Sequence, residues 1–192
     1  MKPLRAIKAP SARAESRGME NVAVIPGHDV LKMGAVLGLL DGTMQAQPAG
    51  VDLTIGEVYR FRGYGLLGFS NESRVLPDVE KLEFGDDGRL FLEKGAYRIR
   101  YNEVVRVPSD CVAIGLPRSS LMRMGATVIS ALWDPGYEGR GEGLLMVENP
   151  YGIVLEKNAR VVQLIFIRLE SKPISEYRGS YMREGLLKDH QP

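Results

Sequence analysis

From Asp52 to Glu170 the chain alternates apolar and polar residues in short runs, broken by turn-forming residues. DLTIGEVYRF, starting at Asp52, has the period of two that sends successive side chains to opposite faces of a strand. The stretch RLFLEKGAYRIRYNEVVRVPSDCVAIGL repeats the pattern in pieces separated at Lys94-Gly95, Asn102-Glu103 and Pro108-Ser109-Asp110. ATVISALW, GLLMVEN and GIVLEKNARVVQLIFIRLE continue it. Short strands with turn signals about every ten residues predict an all-β domain, a barrel or jelly roll. One segment differs: HDVLKMGAVLGLL, residues 28–40, has near-helical apolar spacing and stops at Asp41-Gly42, which predicts one short helix. After Lys172 the chain turns polar and Gly-bearing, so residues 173–192 read as a C-terminal arm. Residues 1–20 read as a loose basic tail, and 21–172 as the β domain.

Composition narrows the classes. The chain has 192 residues, 44% hydrophobic and 26% charged, enough for one domain with a real core. A net charge of +1 provides no global field toward nucleic acid or membrane, and neither is expected as a partner. Apolar runs such as VVQLIFI fall far short of the ~20 residues that span a bilayer. The single cysteine, Cys111, excludes a disulfide within the chain and suits a reducing, cytoplasmic setting. It sits in the alternation DCVAIGL, so it reads as core rather than as a nucleophile. His28 and His190 lie far apart and make no metal cluster. In the tail, Lys2, Arg5, Lys8, Arg13 and Arg17 face one acid, Glu15, with no apolar stretch of the secretory kind after them. GYGLLG, from Gly63, matches a dinucleotide-binding glycine pattern in letters only, because FSNESRVLP follows where that motif opens a helix.

Four stretches are polar where a β core has no need of it. In SALWDPGYEGRG, Asp134 precedes Pro135 and Gly136, and Tyr137 follows. The structural reading is a turn whose Asp bonds its own backbone. In LPRSSLMRMG, Arg118, Ser119 and Ser120 combine a forked cation with two hydroxyls, a set suited to phosphate oxygens. The structural alternative makes Ser119 or Ser120 the cap of a short helical turn, and a capped N-terminus is itself an anion site. Arg123 returns to the same face if that turn is helical. Asp52 opens a strand in QPAGVDL, and Gln163 interrupts the apolar strand ARVVQLIFI as an amide that needs partners.

Together, QPAGVDL, PRSSLMRMG, LWDPGYEG and ARVVQLIF resemble, in order and spacing, the four motifs of the trimeric dUTPase and dCTP deaminase superfamily. The resemblance covers roughly residues 28 to 185. It implies a β-clip, jelly-roll-like fold, a homotrimer with sites between subunits, and a pyrimidine deoxynucleoside triphosphate as ligand. By position, Asp52 is expected to help order a Mg2+ and water network. Arg118, Ser119, Ser120 and Gln163 are expected on the phosphates, Asp134 on the attacking water, and Tyr137 flat against the deoxyribose. Arg123 joins the phosphate set, and Ser130 adds a hydroxyl near the base.

The family holds two chemistries. Deamination at C4 of cytosine calls for a glutamate on the strand after the hairpin. The corresponding position here is Leu144 or Met146, depending on how the lengthened GRGEG is counted. Glu142 and Glu148 share the strand parity of Leu144 without falling at the expected place. Hydrolysis of dUTP to dUMP and pyrophosphate is therefore the expected reaction, with dCTP deamination, alone or combined, as the alternative and a non-catalytic nucleotide binder as a third reading. The arm EYRGSYMREG is closer to the deaminase form, with Ser180 and Glu184 at departures from it. Tyr181 and Arg183 are its expected substrate contacts, and Glu184 is expected to repel a triphosphate.

Overall fold

The computed structural model describes residues 23–186. The expected basic tail and His190 lie outside them. Among the described residues, fourteen strands, three short α-helices and a 3-10 turn at Asn71–Ser73 follow one another. β1 (Val24–Ile25), α1 (Gly27–Lys32), β2 (Val36–Leu37), α2 (Gly42–Gln45) and β3 (Ala46–Gln47) lead into the long β4 (Gly50–Phe61). Then come β5 (Val79–Leu82), β6 (Arg89–Leu92), β7 (Gly95–Tyr101), β8 (Val104–Arg106), β9 (Cys111–Pro117) and α3 (Ser119–Arg123). β10 (Ala126–Ile129), β11 (Glu138–Gly139), β12 (Glu142–Val147), β13 (Ile153–Glu156) and β14 (Arg160–Arg168) close the domain.

The expected all-β architecture is what forms. The main sheet runs β1-β14-β4-β7-β12-β10, with every pairing antiparallel. β14 carries β9 along one edge, and β4 then β1 along the other. Both faces of β4 are buried from Gly50 to Ile55. Val51, Leu53 and Ile55 enter the apolar core with Ile99, Leu145, Leu164 and Phe166, while Asp52 and Thr54, on the opposite face, are equally covered. Cys111 is fully buried in β9, and its thiol is pushed up to about 11 by burial and then by the neighbouring Asp110. The GYGLLG segment lies in the loop between β4 and β5, joined across by the Leu66–Val75 bridge. Among the described residues no helix is long and apolar enough to cross a membrane.

The helix expected over 28–40 is a correction. Only Gly27–Lys32 is helical; Gly34 takes a left-handed φ of +66° and Val36–Leu37 pairs with β8. The apolar spacing was real, but a glycine C-terminal signal inside it ended the helix, and its second half became a strand.

Glu103 explains the buried polar face of β4. Its Oε1 accepts from Gln45 Nε2 and Thr54 Oγ1, both at 2.7 Å, and its Oε2 from the Thr54 amide at 2.9 Å. Gln45 also donates to the Asp52 carbonyl. Glu103→Ala strands three buried donors, each costing about 1–3 kcal/mol when unpaired. A loss of about 3 kcal/mol is expected in urea unfolding, because the site is small enough for partial repair by water.

Candidate active site

Asp134-Pro135-Gly136-Tyr137 forms a tight turn. The Tyr137 amide donates to the Asp134 carbonyl at 3.1 Å, and Gly136 has φ +82°. Pro at the second position and a left-handed Gly at the third define a type II turn, so the hairpin-corner reading and the functional reading describe one object. The turn is pinned from outside, by Gly136 N–H to the Val107 carbonyl and Val107 N–H to the Tyr137 carbonyl.

This turn forms one wall of a cavity of about 290 Å³, at the small end for a ligand pocket. Ser130, Asp134, Tyr137 and Tyr181, all expected site residues, line it together with Glu142 and Glu184. Asp134 is half-buried and its carboxylate makes no hydrogen bond or ion pair among the described residues. The Ser130 hydroxyl is already committed: it accepts from Trp133 Nε1 and donates to the Ala131 carbonyl, both at 2.8 Å. Trp133 packs into the core at 5% exposure. Close approach requires the glycines of the GRGEG stretch. A Cβ on Gly139 would stand 2.6 Å from the Tyr137 hydroxyl, and one on Gly141 2.1 Å from the Trp133 ring. The lengthened hairpin is thus a floor for two aromatic rings.

Arg183 lies on the C-terminal arm, and the other expected residues lie elsewhere, on the elements around Asp52. That carboxylate is 1% exposed and its Oδ2 meets Arg118 Nε at 3.0 Å and Arg160 Nη1 at 3.2 Å. Burial raises its pKa, with Arg118 and then Arg160 pulling it back. Asp52, expected to help order a Mg2+ and water network, contacts two guanidinium groups. Gln163 is its register partner across β14 and β4, and donates to the Ala49 carbonyl at 3.2 Å. Ser119 and Ser120 open α3, but the cap position belongs to Arg118 and no side chain caps the helix. Both serine hydroxyls are instead exposed and without hydrogen bonds among the described residues. Arg123 closes the same short helix, with Nη1 on the Ser119 carbonyl. No three His, Cys, Asp or Glu side chains among the described residues group as metal ligands.

The deaminase position is apolar in three dimensions as in the sequence. Leu144 pairs with Ile129 and Arg98, Met146 with Thr127 and Ala96, and both lie on the face of β12 opposite the core residues Leu145 and Val147. Glu142, on that face, does reach the cavity wall. Its carboxylate is held by Arg100 Nη2 at 2.9 Å and Arg98 Nε at 3.4 Å. Glu148 turns away to Lys94.

The C-terminal arm crosses the turn of its own chain. Tyr177 N–H donates to the Pro135 carbonyl, Arg183 N–H to the Glu138 carbonyl and Arg140 N–H to the Glu184 carbonyl. Arg183 is exposed with φ +62°. Arg74 stacks on Tyr181 at 5.2 Å. Glu184 accepts from the Tyr137 hydroxyl at 2.7 Å, so it bonds a ring rather than facing phosphate as sequence reasoning expected. The arm stretch EYRGSYMREG carried Tyr177 and Glu184, but only the folding of the arm brings them to the turn. Arg160 was legible as a cation beside Gln163 and was passed over.

Burial raises the pKa of Glu184, and Glu142 adds to the rise, against the Tyr137 hydrogen bond and the cations Arg100 and Arg98. A carboxyl raised on docking favours the docked arm most below its ordinary value of 4.5, and that contribution is lost as pH climbs through the raised value. Fluorescence of Trp133, whose ring lies 5.3 Å from Tyr137, is expected to change over that window and to stay flat in Glu184→Gln.

Comparison with known proteins places this arrangement among relatives. The family described as dCTP deaminase-like matches residues 36–169. The chain is 46% identical to the "Probable deoxyuridine 5'-triphosphate nucleotidohydrolase" of Archaeoglobus fulgidus, over 86% of this chain and 99% of that one. It is 38% identical to the "Deoxyuridine 5'-triphosphate nucleotidohydrolase" of Methanocaldococcus jannaschii, over 75% of this chain and 87% of that one. Among solved structures, the 2'-deoxycytidine 5'-triphosphate deaminase of Agrobacterium tumefaciens superposes with a TM-score of 0.58 at 21% identity. The match covers 77% of this chain and 48% of that one, about half its length, and concerns the fold alone.

Proposed function

The chain belongs to the dCTP deaminase-like family, and from that membership we propose that it is a dUTP diphosphatase, hydrolysing dUTP to dUMP and pyrophosphate. One observation carries the choice of reaction. The cavity offers a free carboxylate on the turn, Asp134, and none at Leu144 or Met146, while Glu142 is tied to two arginines. A water held by Asp134 attacks the α-phosphorus, the carboxylate takes its proton, and the bond to the bridging oxygen of pyrophosphate breaks. Tyr137 lies against the deoxyribose and leaves no room for a 2'-hydroxyl. Ser130, already bonded to Trp133 Nε1 and Ala131, supports the base-binding strand end.

The cavity holds three carboxylates, Asp134, Glu142 and Glu184, and the cations beside it, Arg98 and Arg100, are tied to Glu142. It suits base and sugar, not a triphosphate. Arg118, Ser119, Ser120, Arg123 and Gln163 form the complementary half, for the phosphates, with Tyr181 and Arg183 on the closing arm. Asp52 acts by fixing Arg118 and Arg160. The substrate is read as the Mg2+ complex of dUTP; the metal takes hard oxygen ligands from phosphate and water, consistent with the lack of a ligand cluster among the described residues. Two half-sites of opposite character support a site shared between copies, and the elements around Arg118 carry exposed Ile114, Leu116, Met122, Ile129 and Leu132, as a subunit interface requires. A homotrimer is the proposed assembly.

The test is product analysis with Mg2+ and either dUTP or dCTP. Pyrophosphate and dUMP from dUTP support the reading; uracil nucleotides from dCTP make the protein a deaminase; unchanged substrates at stoichiometric protein leave a binding protein. Native mass then reads the trimer.

A further inference from the structure

Tyr137 is positioned from more directions than its own turn. Its ring meets Trp133 edge-on at 5.3 Å and 87°, and Tyr177 of the arm at 5.7 Å and 65°. Its hydroxyl rests over Gly139, where a Cβ would stand 2.6 Å away, and donates to Glu184 Oε1 at 2.7 Å. Glu184 is itself placed by main-chain bonds on either side of that hydroxyl. The Arg183 amide reaches the Glu138 carbonyl at 2.7 Å, and the Arg140 amide reaches the Glu184 carbonyl at 2.9 Å. The carboxylate is therefore registered against β11, and the phenol end of Tyr137 is registered against the carboxylate.

We propose that Glu184 is a positioning residue for sugar selection: by accepting the Tyr137 hydroxyl it fixes the ring that excludes a ribose, so the arm takes part in discrimination and does not merely cover the site. This rests on the reading of Tyr137 given above. The physical basis is that a hydroxyl adds little bulk. A ring free to tilt about its turn yields to a 2'-hydroxyl, whereas a ring held at Trp133, at Tyr177 and at its own oxygen does not. Glu184 touches neither the reacting phosphorus nor the attacking water in this scheme, and its effect is transmitted through Tyr137.

The readout is the ratio of kcat/KM for dUTP to that for UTP. Glu184→Ala is expected to lower the ratio about threefold to tenfold, the worth of one hydrogen bond. Glu184→Gln, whose amide oxygen still accepts, keeps it. Tyr137→Phe lowers it by the same factor, and the double variant Y137F/E184A falls no further, because both changes remove one contact. An arm that only covers the cavity would slow both substrates alike and leave the ratio untouched. A preserved ratio in Glu184→Ala, alongside a collapsed ratio in Tyr137→Ala, overturns the inference and leaves the Tyr137 reading standing. A preserved ratio in both removes the Tyr137 reading itself. A fall in Glu184→Ala that Gln does not rescue also overturns it, since charge rather than the hydrogen bond would then be responsible.

Discussion

Replacing Asp134 by asparagine is expected to cut dUTP turnover by about 10²- to 10⁴-fold, the range for removal of a general base. Binding of a non-hydrolysable dUTP analogue is expected to survive. The reason lies in the turn. Asp134 holds its place through the backbone, with its carbonyl taking the Tyr137 amide, and its carboxylate has no protein partner among the described residues to lose. Asparagine keeps the shape and removes only the basicity. The paired measurements are single-turnover release of pyrophosphate and calorimetric titration with the analogue. Undiminished turnover would take Asp134 out of the chemistry, and lost binding would make it a substrate anchor.

The second large effect falls on stability and phosphate binding together. Asp52→Ala leaves Arg118 and Arg160 facing each other across an emptied, buried position. Breaking a buried ion pair from one side costs about 3–5 kcal/mol. The lower end is expected here, because the two arginine side chains keep 29% and 26% exposure and regain some water. Urea unfolding measures this. Affinity for pyrophosphate, titrated where the variant remains folded, is expected to fall as well, since the arginine fork loses its orientation. A variant as stable as the parent would mean that the arginines hold Asp52 rather than the reverse.

These two residues also mark what could be read before the fold was known. The turn at Asp134 was visible because Pro135-Gly136 fixes it by local chemistry, and local chemistry is written in sequence; its reading as a site came from the family resemblance. Most strands from β4 to β14 were visible for the same reason, since period-two alternation and turn residues act over a few positions, but β5 and the two-residue β11 were not. The helix over 28–40 failed where two local signals competed, the apolar spacing and Gly34, and pairing with β8 favoured the strand. Asp52 was visible as an oddity but not in its partners. Arg118 and Arg160 reach it only because β9 and β4 lie on opposite edges of β14.

By itself, the sequence determined the all-β architecture, the turn that carries Asp134 and Tyr137, and the arginine-serine stretch, while the family resemblance pointed to the apolar side chains at the deaminase position. Each is a matter of residue type within a short window. The tertiary structure alone decided that the cavity beside the turn is lined by carboxylates and aromatic rings, while Arg118 and Arg160 gather around Asp52. It also decided the capture of Glu142 by Arg98 and Arg100, and the docking of Glu184 onto Tyr137 47 residues away. Such contacts depend on strand order and on where the arm returns. No local pattern encodes either, because both are set by which distant surfaces bury one another.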